Sequence, residues 1–156
     1  MTFLEAMRIL TALERHGVEY VLVGSMAMAA QGIIRATRDI DLFVSADESN
    51  VTKLKAALTD VFADPAIESI TAADLAGEYP AVQYVPSSGD YWIDILARLG
   101  EAFHYAEVEH EIVRVEGMSI RVATPRMLYR MKRDTLRPQD RLDAQILKER
   151  FGLEDD

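Results

Sequence analysis

Apolar residues near the N-terminus recur every three or four positions. They are Phe3, Leu4, Met7, Leu10 and Leu13. This spacing predicts an amphipathic helix over residues 2–16, with Thr2 as its N-cap. Acidic residues within the helix distinguish it from a secretory signal peptide, so we interpret it as part of the folded domain.

Runs rich in β-branched and aromatic residues predict strands over 19–24, 39–45, 81–85 and 91–97. A hairpin is predicted over 110–123, with its turn at Glu116 and Gly117. Further helices are predicted between Ser25 and Gly32, over 46–62, over 101–107, over 124–134 and over 139–152. Residues 63–80 are predicted to be a loop with one helical turn at 71–76. This order favours an α+β fold in which helices pack against a mixed β-sheet.

Two aspartates stand out in the second predicted strand. Asp39 and Asp41 are two positions apart, so their side chains point to the same face of the strand. Neighbouring carboxylates repel each other unless one is protonated or a cation lies between them. Oxygen ligands of this kind suit Mg²⁺ or Mn²⁺, so we predict a divalent metal site here.

A third carboxylate, Asp94, lies in the predicted strand 91–97 between apolar residues. An aspartate inside a buried strand is costly unless it is paired or ligated. A structural ion pair would account for a single such residue, but the Asp39 and Asp41 pair favours a functional role. We therefore group Asp94 with them as catalytic and metal-binding.

The first predicted strand ends in Gly24 and Ser25, directly before a helix. Backbone N–H groups and a hydroxyl at such a junction can bind phosphate, although an ordinary turn with a serine cap has the same sequence. The position of this turn, one short helix before the aspartate pair, favours nucleotide binding.

The charge of the chain is uneven. The formal net charge is −9, which argues against a general surface for duplex DNA. Acidic residues dominate 39–120 and basic residues dominate 121–141. Charge alone favours an uneven solvated surface, although a site that combines metal ligands with phosphate ligands has the same pattern. The chain has no cysteine and no apolar run long enough to span a membrane, so we expect a cytoplasmic protein.

The segment "VGSMAMAAQG…RATRDIDLFV" resembles the signature of the nucleotidyltransferase superfamily, which has a polymerase-β-like palm. It is most similar to the small stand-alone bacterial and archaeal branch, which includes abortive-infection and toxin–antitoxin nucleotidyltransferases. The resemblance implies a single domain over 1–156, with the core at about 17–97 and a C-terminal hairpin and helices at about 106–152. Relatives carry a histidine where this chain has Gln31.

The resemblance extends to "ATPRMLYRMKRDTLRPQDRLDAQIL". It implies that Lys132 faces the nucleotide triphosphate and that Arg35 lies near the rim of the pocket. From the residues alone, Lys132 either reaches the site or extends to the surface. Asp140 and Asp143 are interpreted as helix-surface or capping groups, and Asp140 as a partner of Arg137.

The three histidines, His16, His104 and His110, show no metal-binding spacing, so we expect them to have structural roles. We expect Tyr84, Tyr91 and Trp92 to be core or pocket-wall residues.

The sequence thus predicts a metal-dependent nucleotidyltransferase that moves an NMP from an NTP to an acceptor hydroxyl on RNA, protein or a small molecule. A homodimer or a cognate operon partner could complete the site. The alternative is a catalytically silent partner of a toxin–antitoxin pair, while a kinase is disfavoured because the chain lacks its phosphate-binding motifs.

Overall fold

The computed structural model describes residues 1–33, 39–77, 81–87, 90–99 and 103–155. Its helices are α1 Phe3–Arg15, α2 Gly24–Ala30, α3 Glu48–Phe62, α4 Ala72–Ala76, α5 Pro125–Arg133 and α6 Pro138–Phe151. Its strands are β1 Tyr20–Val23, β2 Asp39–Val44, β3 Ala81–Tyr84, β4 Trp92–Leu96, β5 Arg98–Leu99, β6 Phe103–His104, β7 His110–Val115 and β8 Met118–Ala123. The predicted α+β class is confirmed.

The main sheet has six strands in the order β3-β4-β2-β1-β8-β7. Strand β2 is parallel to β4, and β1 is parallel to β8. The other neighbouring pairs are antiparallel, which makes the sheet mixed. Strands β5 and β6 form a separate two-stranded ribbon.

Helix α1 begins as its sequence predicts. The Thr2 hydroxyl accepts a hydrogen bond from the N–H of Glu5, and the Glu5 side chain accepts one from the N–H of Thr2. This reciprocal pair satisfies two backbone donors that a helix start leaves free. The apolar stripe then buries Leu10 and Leu13 completely, and α1 packs against α3.

Strand β2 divides its side chains between the core and a polar face. Ile40 and Leu42 are fully buried, whereas Asp39 and Asp41 are only partly buried on the opposite face. Strand β4 repeats this pattern, with Ile93 and Ile95 in the core. The alternation therefore presents carboxylates from two adjacent strands on one face of the sheet.

Two segments differ from the sequence expectation. Residues 101–107 were expected to form a helix, but the described part contains β6 and a single 3₁₀ turn at Tyr105–Glu107. Phe103 pairs with Leu99 of β5, so a local strand partner overrides a weak helical pattern. The segment 63–80 contains a 3₁₀ turn at Pro65–Ser69 in addition to the expected helical turn, which is α4.

None of the helices in the described ranges combines the length and the apolar character needed to cross a bilayer.

Candidate active site

Four residues form one row across four strands of the sheet. Val23 of β1 pairs with Asp41 of β2, Asp41 pairs with Asp94 of β4, and Asp94 pairs with Gln83 of β3. The parallel register of β2 and β4 brings Asp41 and Asp94 side by side, although the chain separates them widely. The structure thus brings together the three aspartates singled out from the sequence.

Gly24 follows this row directly and lies against Asp41. A side chain at Gly24 would overlap Oδ2 of Asp41, and its Cβ would lie 2.9 Å from Cγ of Asp41. The backbone φ of +71° is also a conformation that residues other than glycine adopt at a cost. Both observations show that the turn needs glycine so that the backbone can approach the carboxylate.

Burial and neighbouring charges change the acidity of Asp41. Its pKa rises to about 7, first because the carboxyl is removed from water, and then because it shares a hydrogen bond with Asp94. The negative charges of Asp94 and Asp39 raise it further, while Lys132 opposes them. Without a bound cation, the ionised form of Asp41 is therefore disfavoured relative to an exposed aspartate.

Asp94 has two further partners that the sequence did not reveal. The indole Nε1 of Trp92 donates a hydrogen bond to Oδ2 of Asp94 at 3.1 Å. The amide Nε2 of Gln83 donates to Oδ1 at 3.3 Å. Trp92 was expected to be a core or wall residue, but its polar edge contacts a carboxylate of the site.

Tyr84 and Tyr91 do lie in the core, with exposures of 7% and 5%. Tyr84 packs on Phe62 and donates its hydroxyl hydrogen to Asp64, away from the aspartate row.

Lys132 is almost completely buried between α5 and α6. Its Nζ lies 2.8 Å from Oδ2 of Asp143 and 3.4 Å from Oδ1 of Asp140. The expected ion pair between Asp140 and Arg137 is present, with Nε and Oδ2 3.8 Å apart. The expectation that Asp143 lies on the helix surface or serves as a cap is wrong, because its side chain is fully buried and binds Lys132.

One cleft of about 460 Å³ is lined by the three aspartates, the glycine turn and the Lys132 ion-pair cluster. Its polar lining includes Gly24, Ser25, Lys132 and the three aspartates of β2 and β4. Its apolar lining includes Phe43, Leu96, Leu99, Leu128 and Met131. The cleft therefore combines carboxylates, a cation and apolar wall within one space of ligand size.

Of two further residues singled out from the sequence, Gln31 lies within the described residues and Arg35 does not. Gln31 donates hydrogen bonds to the Glu111 carboxylate at 2.8 Å and to the carbonyl oxygen of Ala123 at 3.1 Å, so it ties the end of α2 to β7 and β8. The position where relatives have histidine thus has a structural role in this chain. Arg35 lies outside the described residues.

The histidines are not part of the aspartate site. His16 contacts Asp60 at 3.0 Å, and His110 contacts the carbonyl oxygen of Val108. Within the described ranges, no three Asp, Glu, His or Cys side chains are already gathered as a ready-made metal site.

The donor set nevertheless fits a hard divalent cation. Asp39, Asp41 and Asp94 offer carboxylate oxygens from adjacent strand positions, which is the ligand type that Mg²⁺ and Mn²⁺ take. The charges of Asp94 and Asp39 raise the pKa of Asp41, and a cation bound between these carboxylates would relieve that repulsion. Residues and cation are therefore chemically compatible.

Solved structures with this fold include several nucleotidyltransferases. The lincosamide antibiotic adenylyltransferase LnuA, with lincomycin bound, has a TM-score of 0.61 at 17% identity, covering 95% of this chain and 97% of that one. ANT(2'')-Ia in complex with adenylyl-2''-tobramycin has a TM-score of 0.58 at 16% identity, covering 97% and 91%. A protein from Thermotoga maritima described as a candidate nucleotidyltransferase has a TM-score of 0.54 at 17% identity, covering 97% and 96%.

Curated proteins give no match. The model of one protein family matches residues 8–150 and is described as "Nucleotidyl transferase AbiEii toxin, Type IV TA system". The match includes the glycine turn, all three aspartates and the Lys132–Asp143 pair. With a nucleotidyltransferase fold around this cleft, the chain belongs to the AbiEii family of nucleotidyltransferase toxins.

Proposed function

We propose that the protein transfers a nucleoside monophosphate from an NTP to an acceptor hydroxyl in a reaction that depends on Mg²⁺ or Mn²⁺. The observation that carries the proposal is the register of Asp41 with Asp94, next to Asp39 and Gly24, inside one cleft. The chemistry of the three carboxylates is that of sites for metal-assisted phosphoryl transfer.

In this proposal, Asp39, Asp41 and Asp94 hold the divalent cation. Bound there, the cation would neutralise triphosphate charge and favour departure of pyrophosphate. The backbone at Gly24, the Ser25 hydroxyl and the Lys132 ammonium line the same cleft and contribute ligands for the phosphates.

Asp94 is proposed to accept the proton of the acceptor hydroxyl. The acceptor oxygen then forms a bond to the α-phosphorus, while the bond from the α-phosphorus to the bridging oxygen breaks and pyrophosphate leaves. The proton remains on Asp94 until solvent removes it. Both oxygens of Asp94 already accept hydrogen bonds from neutral groups, so the carboxylate is oriented before any acceptor arrives.

The class of acceptor is the open part of this proposal. The family description names a toxin, and two of the structural neighbours are named for antibiotics. An RNA end, a protein side chain and a small molecule all offer suitable hydroxyls. A second copy of the chain or an operon partner could supply part of the acceptor surface.

The test is incubation of the protein with each α-labelled NTP, Mg²⁺, and fractions of cellular RNA, protein and small molecules. We expect one NTP to label one fraction, with loss of labelling in EDTA and in Asp39→Asn or Asp41→Asn. Asp60→Asn, which changes an exposed carboxylate outside the cleft, serves as the matched control and should label normally. Labelling that survives EDTA would overturn the metal dependence, and no labelling with any NTP would overturn the transfer itself.

A catalytically silent partner protein is the second candidate, and Gln31 in place of the histidine of relatives favours it. Thermal melting separates the two, because a nucleotide that binds only the folded state raises the melting temperature. The enzyme predicts a rise with NTP and Mg²⁺ that Asp39→Asn abolishes. The silent partner predicts no rise with any NTP.

A further inference from the structure

Asp94 occupies the centre of the row that crosses the sheet. Its two direct cross-strand neighbours are Asp41 on β2 and Gln83 on β3. Trp92 precedes it by two positions on β4 and so lies on the same face. Three polar side chains thus surround one carboxylate, and two of them are neutral hydrogen-bond donors.

These two donors take different oxygens of Asp94. Trp92 binds Oδ2 at 3.1 Å and Gln83 binds Oδ1 at 3.3 Å. A carboxylate held through both oxygens cannot rotate freely about its Cβ–Cγ bond. Because neither donor is charged, this orientation does not add a cation that would compete with a metal ion or attract the phosphates.

Packing alone does not account for Trp92 at this position. The core face of β4 is formed by Ile93 and Ile95, which are fully buried. Trp92 lies on the opposite, partly exposed face with Asp94 and Leu96. An indole there differs from another apolar side chain chiefly in its N–H group, and that N–H is directed at the carboxylate.

The strand order gives the site two sides, one towards β1 and one towards the edge strand β3. Gly24, at the end of β1, and Lys132, on α5, lie on one side of the aspartates, and α5 packs against α2. Gln83, on the edge strand β3, lies on the other. When the phosphates bind near Gly24 and Lys132, the acceptor approaches Asp94 from the side of β3 and β4.

We propose that Trp92 and Gln83 are positioning residues that aim Asp94 at the acceptor hydroxyl. The inference rests on the proposed function, in which Asp94 accepts the acceptor proton. Neither side chain reacts. They fix the direction of the carboxylate, as second-layer hydrogen bonds do for reactive groups in other sites.

The kinetic test measures pyrophosphate release with Mg²⁺, using the NTP and acceptor fraction identified by labelling. Trp92→Phe keeps an aromatic ring and removes the N–H, so we expect kcat to fall about tenfold with an unchanged KM for the NTP. Gln83→Leu should change kcat in the same direction by a smaller factor. Tyr84→Phe removes a hydroxyl donor from the same strand, outside the aspartate site, and should leave kcat unchanged.

A second measurement does not depend on turnover. Trp92 is the single tryptophan of the chain, so its fluorescence reports on its contact with Asp94. We expect Asp94→Leu to shift the emission maximum in the absence of nucleotide and metal. Asp64→Asn, which removes the charge of the carboxylate partner of Tyr84, should not shift it.

The outcomes separate this inference from the function on which it rests. A wild-type chain that releases no pyrophosphate overturns the proposed function. A wild-type chain that is active, together with folded Trp92→Phe and Gln83→Leu variants of normal kcat, overturns only the positioning role. If Trp92→Phe melts before assay temperature, Gln83→Leu carries the kinetic test, because Gln83 is exposed and its replacement leaves the core intact.

Discussion

At the scale of single residues, the site depends on close approaches that allow little substitution. Gly24 brings the backbone against Asp41, and Asp41 lies beside Asp94 on the next strand. Replacing Gly24 should therefore reduce both stability and activity. At Asp41 the two are expected to oppose each other, because the buried carboxylate that the reaction needs is costly to ionise in the metal-free fold.

Gly24→Ala should destabilise the protein and abolish transfer. The added Cβ meets the Asp41 carboxylate, and the positive φ adds strain, so we expect a loss of roughly 2 to 4 kcal/mol in the free energy of unfolding. Urea denaturation measures it. Gly17→Ala is the matched control because Gly17 has a φ of +67° and no atom within 4 Å of an added Cβ.

Gly17→Ala should lower the free energy of unfolding by about 1 kcal/mol, because it adds only the backbone strain of a positive φ. Equal losses in the two variants would show that the approach of Gly24 to Asp41 is not tight in solution.

Asp41→Asn should stabilise the metal-free protein increasingly as the pH rises. The folded pKa of Asp41, about 7, lies above the ordinary aspartate value of 3.8, so its favourable contribution is complete below pH 3.8 and is lost as the pH rises through 7. Asparagine cannot ionise and therefore lacks this loss. Between pH 5 and pH 8 we expect the variant to gain roughly 1 to 3 kcal/mol over wild type, measured by denaturation in EDTA.

Asp64→Asn should change the pH dependence of stability in the opposite direction. The pKa of Asp64 is lowered, first by the hydrogen bond from the N–H of Ala66, so its contribution is present above its unfolded pKa and is lost as the pH falls. A difference between wild type and Asp41→Asn that stays constant from pH 5 to pH 8 would contradict the raised pKa of Asp41.

At the scale of elements, the contact between α5 and α6 contains a buried ion pair. The side chains of Lys132 and Asp143 are 10% and 1% exposed, and Gln139 donates a further hydrogen bond to Asp143. Removing Asp143 leaves the buried Lys132 ammonium with only its longer contact to Asp140, so the remaining charge is poorly compensated. The two helices are thus held in register by electrostatic pairing as well as by apolar packing.

Asp143→Leu should lower the free energy of unfolding by about 3 kcal/mol, because the Lys132 ammonium loses its nearest carboxylate and keeps only Asp140 at 3.4 Å. The double variant Lys132→Met with Asp143→Leu should be closer to wild type in stability, although inactive. Urea denaturation of Lys132→Met, Asp143→Leu and the double variant gives the coupling energy.

Asp60→Asn tests an exposed contact with Arg15 and His16, and should lower stability far less than Asp143→Leu does, because water already screens those charges. A double variant less stable than either single variant would contradict the desolvation argument.

At the scale of the whole molecule, the sequence predicted what local periodicity determines. Alternation in β2 and β4 identified the faces that carry Asp39, Asp41 and Asp94, and the α+β class followed from the order of elements. The same alternation puts Trp92 beside Asp94, but the contact with Gln83 could not be predicted, because Gln83 becomes a neighbour only through the sheet order β3-β4-β2. Cross-strand register depends on tertiary structure.

The burial of Asp143 was missed for a related reason. Helix α6 is rich in polar residues on several faces, so its sequence does not identify the side that packs on α5. Lys132 was a clue, because a lysine within the apolar stripe of one helix requires an acidic side chain from a neighbouring element. The partner itself could be identified only from the packed structure.

The row from Val23 to Gln83 also has a kinetic consequence. It is complete only when β2 has paired with β4 in parallel, which requires segments far apart in the chain to meet. Such pairings form slowly, and no locally folded fragment contains them. A ligand bound across this row opposes opening of the whole sheet, so it should slow hydrogen exchange and proteolysis throughout the chain as well as at the cleft.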